Sequence, residues 1–73
     1  LPRLKRFSAE ALCRLLKERG FVEVRRKGSH IMLQKRHEEG TTTVPVPNHA
    51  EIRVGTLRSI IRQSGLPREL FED

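Results

Sequence analysis

Apolar residues recur along this chain first with a helical period, then with a strand period, then with a helical period again. Leu12, Leu15 and Leu16 share one stripe of a helix. Ser8 is a good N-cap, and Glu10 falls in the first turn, where the helix dipole favours an anion. Phe7 and Leu12 occupy the two positions of a hydrophobic staple. Gly20 predicts the stop, with Phe21 folding back on Leu16 in a Schellman end. Arg14, Lys17 and Glu18 then face water.

Alternation follows. Val22 and Val24 lie on one face of a strand, and Ile31 and Leu33 on one face of the next. A two-residue turn at Lys27-Gly28 sets Val24 opposite Ile31 and Val22 opposite Leu33, so the apolar faces match. In "TTTVPVP", Val44 and Val46 share a face and pair with Leu33 and Ile31. This leaves His37-Glu38-Glu39-Gly40 as a loop. Pro45 lacks an N–H, so the third strand belongs at a sheet edge.

A second helix is expected from Thr56 to Ser64, with Leu57, Ile60 and Ile61 as its stripe. Gly65 ends it, Leu66 is placed to contact Ile61, and Pro67 can start a short turn carrying Leu70 and Phe71. The expected fold class is α+β, in the order α-β-β-β-α. A three-stranded antiparallel sheet has both helices on one face and leaves the other open.

The open face brings chemistry into view. His30 has the opposite parity to Ile31 and Leu33, so it projects from that face with Met32 and Gln34 in its row. Its expected cross-strand neighbours are Arg25 and Pro47. Arg25, Arg26 and Lys27 precede it, and they can attract a phosphodiester. Gly28 has no side chain to hinder a close backbone approach. Two readings stand at this point: a polar surface residue after a turn, or an acid–base group on an exposed central strand.

Composition narrows the partner. The 73 residues, read as one domain over 1–73, carry a net charge of +6. Such an excess favours a polyanion: nucleic acid, an anionic surface or an acidic protein. A chain this small buries roughly 60% of its unfolded surface, so an active site should be shallow. No apolar run approaches a membrane span, and no signal-peptide pattern is visible. Cys13 is the only cysteine, which excludes an intrachain disulfide and suits a reducing cytoplasm.

Three motifs in order carry a resemblance. Gly28-Ser29-His30 follows a helix and Gly20-Phe21; then come "TVPVPNH" from Thr43 to His49 and "GTLRSIIRQSGL" from Gly55 to Leu66. Together, over Ser8 to Phe71, they resemble the HicA, or YcfA-like, family of toxins. The resemblance implies a fold like the double-stranded-RNA-binding domain and a ribonuclease acting on mRNA and tmRNA. It also implies a HicB-like antitoxin as partner, and one required histidine on the second strand, here His30. The family's glycine before it corresponds to Gly28. The RNA-binding set expected around it is Arg25, Arg26, Lys27, Gly28 and Ser29.

Other candidates are weaker. Asp73 is the only aspartate, and the glutamates do not cluster at ligand spacing, so no metal or other cofactor is expected. His30, His37 and His49 show no spacing with Cys13 that fits zinc. Cys13 adjoins the apolar stripe and reads as a small buried residue. His37 reads as a solvated loop residue; His49, near the end of the third strand, reads first as a polar loop residue and second as a further acid–base group reaching the open face. "GTLRSI" lacks the glycine spacing and lysine of a P-loop. Phe7, Phe21 and Phe71, the only aromatics, fit core or capping roles, so no base-stacking platform is expected. Beside the ribonuclease, a non-catalytic double-stranded-RNA-binding module and a basic protein-interaction domain remain as rival readings.

Overall fold

The structure, a computed structural model, describes residues 2–73. Its elements are α1 (Ala9–Glu18), β1 (Val22–Lys27), β2 (His30–His37), β3 (Gly40–Pro47), α2 (Val54–Ser64) and a 3-10 turn (Arg68–Phe71). The sheet is antiparallel in the order β1-β2-β3. This is an α+β fold of the double-stranded-RNA-binding kind, α-β-β-β-α with an open sheet face.

Local signals explain α1. Ser8 is extended and its Oγ accepts from the Ala11 N–H at 3.0 Å. At the other end, Phe21 N–H donates to Leu16 O and Gly20 N–H to Lys17 O, while Gly20 has φ +98. This is the expected Schellman end. The buried face is Ala9, Leu12, Cys13 and Leu16, with Leu15 at its margin.

Helix α2 begins at Val54, two residues before the expected Thr56. Arg53 caps it without a side-chain hydrogen bond, so no capping residue marked the start. Gly65 ends it with φ +70. Here the Schellman pattern is altered: Ser64 Oγ donates to Ile61 O at 2.8 Å and accepts from Leu66 N–H at 3.1 Å. The buried hydroxyl thus bridges the two backbone groups that would otherwise bond directly.

Pairing of β2 with β3 is unbroken from His30↔Pro47 to His37↔Gly40, and includes the expected Ile31↔Val46 and Leu33↔Val44. The expected four-residue loop is shorter: only Glu38 and Glu39 lie between the paired His37 and Gly40. Ile31, Leu33, Val44 and Val46 are buried with Leu12, Leu16, Leu57, Ile60 and Phe71, so both helices cover this one face. Ile52, in the connection before α2, joins this core without having been anticipated.

Pairing of β1 with β2 differs from expectation. The turn is Gly28-Ser29, not Lys27-Gly28, and Lys27 pairs with His30. Gly28 has φ +59, and no non-glycine among the described residues has positive φ. A glycine at the first central position followed by serine is the signature of a type II′ hairpin turn, which explains the shift. A bulge between Glu23 and Arg25 then places Val24 out of register. Glu23 lies opposite Leu33 on the helix side, and Val22 lies opposite Gln34 on the open side. Val22 and Val24 are therefore exposed, not part of the core.

The chain's ends are stitched together. Leu4 forms a bridge with Glu72, Lys5 N–H donates to Phe71 O at 2.8 Å, and Asp73 N–H donates to Arg3 O at 2.9 Å. Phe7 and Phe71 meet edge-on with centroids 6.0 Å apart.

Candidate nucleic-acid interface

The open face is a grid set by register. His30 lies between Lys27 and Pro47, Met32 between Arg25 and Pro45, and Gln34 between Val22 and Thr43. His30 was expected opposite Arg25; the displaced turn gives it Lys27 instead, while Arg25 stays on the same face one pair away. His30, Arg25 and Lys27 are exposed, whereas Met32, Pro45 and Pro47 are half-buried. Gln34 donates to Thr43 Oγ1 at 3.2 Å, closing the row at its far end.

Arg26 is on the other side. It pairs with Ile31, and its Nε donates to Glu23 Oε2 at 3.0 Å. Lys17 on α1 stands 3.8 Å from the same carboxylate. The Arg26 hydrogen bond, helped by the charges of Arg26 and Lys17, holds the Glu23 carboxyl below its ordinary range, and Arg26 is raised in return. Glu10, Cys13, Lys17, Glu23, Arg26, Ile31 and Asn48 line a cavity of about 380 Å³ beside the hairpin. Of the three consecutive cations, Arg25 and Lys27 flank the row of His30, and Arg26 belongs to this cavity. Burial pushes the Cys13 thiol up, which keeps it in the thiol form.

Gly28 and Ser29 form the tip beside His30. A Cβ added at Gly28 would meet nothing within 4 Å, so its importance is the backbone conformation. Ser29 O accepts from Asn48 N–H at 2.7 Å. His49 N–H donates to Pro47 O at 2.8 Å, and His49 O accepts from Ala9 N–H at 3.0 Å. The Asn48-His49 backbone thus ties the hairpin tip to the start of α1. That role depends on main-chain groups, so side-chain type gave no signal for it.

The three histidines do not meet. His37 ends β2 seven residues beyond His30, roughly 23 Å away along an extended strand. Its ring contacts Thr42 Oγ1 at 3.0 Å and Glu39 Oε1 at 3.5 Å. Among the described residues, no group of three His, Cys, Asp or Glu side chains could hold a metal ion. None of the described helices is long and apolar enough to cross a membrane.

A family model described as "HicA toxin of bacterial toxin-antitoxin" matches residues 9–66. The chain belongs to the HicA toxin family. The match runs from the first residue of α1 to Leu66 and includes the hairpin with His30, all of β3 and all of α2. No curated protein sequence is significantly similar to the chain. As a HicA-family member it is a toxin component, and the family implies an antitoxin partner.

Proposed function

We propose that this HicA-family chain is an endoribonuclease that cleaves mRNA, with His30 as its acid–base group. The observation that carries this reading is the position of His30: exposed, on the central strand, between Lys27 and Pro47, with Arg25 one pair away. Imidazole is the side chain suited to exchanging protons near neutral pH. Arg25 and Lys27 supply positive charge where a phosphodiester would lie.

In the proposed step a neutral His30 takes the proton of a ribose 2′-OH. The freed oxygen attacks the adjacent phosphorus, and the bond to the 5′ oxygen breaks. The leaving oxygen takes a proton from the imidazolium or from water, and the other fragment ends in a cyclic phosphate. Lys27 and Arg25 offset the charge that develops on the phosphoryl oxygens. The type II′ turn brings the Gly28-Ser29 backbone near the strand without side-chain obstruction at Gly28. One placed acid–base group is worth ~10²–10⁴-fold, which describes a slow enzyme. A HicB-like antitoxin that covers the open face would block it.

Substitution of the nucleophile tests the chemistry. An RNA with one 2′-deoxy nucleotide at the cut should resist cleavage there and be cut elsewhere, and the normal product should end in a cyclic phosphate or its hydrolysed form. Cleavage should persist in EDTA. Equal cutting at the deoxy position would rule out the 2′-OH route, and activity lost only on chelation would point to a metal.

A further inference from the structure

The sheet's two outer strands present different edges. On β3, Asn48 N–H points inward to Ser29 O. Backbone direction alternates along an antiparallel strand, so Pro47 and Pro45 direct their nitrogens outward. Proline has no N–H, and a strand approaching β3 finds no donor at either position. On β1 there is no proline. Ile31 is paired with both Val46 and Arg26. Ile31 lies an even number of residues beyond Ser29 and so shares its direction, towards β3. Its partner Arg26 therefore turns its own N–H and C=O to the outside.

The same edge exposes apolar side chains. Val22 and Val24 are 63% and 49% exposed, and among the described residues Val54 is the only other large hydrophobic left so open. Their exposure follows from the bulge, which puts Glu23 on the helix side in place of a valine. Charge and a bulge are ordinary protections of an edge strand, but a pair of open valines is not. We propose that the outer edge of β1 is a docking site for an extended, acidic segment of a partner protein, which adds to the sheet as a fourth strand.

Charge selects this occupant. Arg25, Arg26 and Lys27 flank the two valines, and a second copy would bring the same cations and a further net charge of +6. Glu23 cannot offset them across such a contact, because Arg26 and Lys17 already share its carboxylate. Val22, Arg25 and Lys27 share the open face, so a segment whose side chains on that one face are apolar at one end and acidic at the other would cover the valines and meet Arg25 and Lys27. The docked strand would also lie beside the row of His30. The inference rests on the edge geometry and does not depend on RNA cleavage.

The test uses the ¹⁵N-labelled chain and a capped peptide whose alternate positions carry two valines at one end and two glutamates at the other, with threonine between them. Saturable shifts should appear at the amides of residues 22–27, exchange at Arg26 N–H should slow, and the β3 amides should stay unchanged. Replacing both Val22→Ser and Val24→Ser, at positions too exposed to threaten folding, should weaken binding about tenfold. The same peptide with lysine in place of both glutamates should not bind. Shifts confined to β3 or the helices, no shift at millimolar peptide, equal binding of the lysine peptide, or self-association through β1 would each overturn the proposal.

Discussion

The β2–β3 hairpin and the β1–β2 hairpin share a strand, yet they obey different rules. The first pairs without interruption over the whole of both strands, alternates cleanly and buries Val44 and Val46. The second is bulged, exposes two valines, and carries the cations and His30. The regular hairpin supplies the core. The irregular one gives up apolar burial and gains exposed charge beside an imidazole. Departures from local consistency are expected to gather at working sites.

The largest expected effect probes the regular part. Leu33→Ala removes a fully buried side chain opposite Val44 and should cost about 2–5 kcal/mol by urea unfolding. Val24→Ala, on the bulge, should stay within about 0.5 kcal/mol. Comparable losses at the two positions would erase the distinction drawn between the hairpins. Next comes the turn. Gly28→Ala places a Cβ at φ +59 with no clash, so the cost is backbone strain alone, about 1–3 kcal/mol. An unchanged unfolding midpoint would mean that the turn adapts freely.

The cations separate by face. Arg25→Ala and Lys27→Ala should each flatten the salt dependence of RNA binding by up to ~0.7 in log–log slope on single strands, and Arg26→Ala should not. A slope that responds to Arg26 as strongly as to Lys27 would bring the α1–β1 cavity into the RNA path. The smallest effect concerns Glu23. Its carboxyl is held low by Arg26 in the folded chain, so it contributes stability above its unfolded range and loses it as pH falls through its lowered folded range. Glu23→Gln should therefore be less stable than the parent near neutrality, with the difference vanishing in acid. A gap that persists at low pH would assign the loss to packing.

Much of the fold was legible because its signals are local or repeated. Ser8, Gly20 and Phe21 marked both ends of α1, and Val44 and Val46 matched Ile31 and Leu33 without ambiguity. The β1 register was not legible from alternation. Val22 and Val24 invited a pairing that the Gly28-Ser29 turn overrides, and a bulge has no pattern of its own. The stitching of Leu4 to Glu72 joins opposite ends of the chain and leaves no local trace. At the candidate site, the face of His30 and its neighbour Pro47 followed from β2 parity. Lys27 as its other neighbour, and the engagement of Arg26 with Glu23, required the true turn.

One comparison tests the role of His30 most directly: purified parent against His30→Ala on a single RNA, with circular dichroism on both. The side chain is exposed, so the variant should fold as the parent does and bind RNA with similar affinity. Its cleavage rate should fall by ~10²–10⁴-fold. Equal cleavage by two folded proteins would contradict the assignment of His30 as the acid–base group.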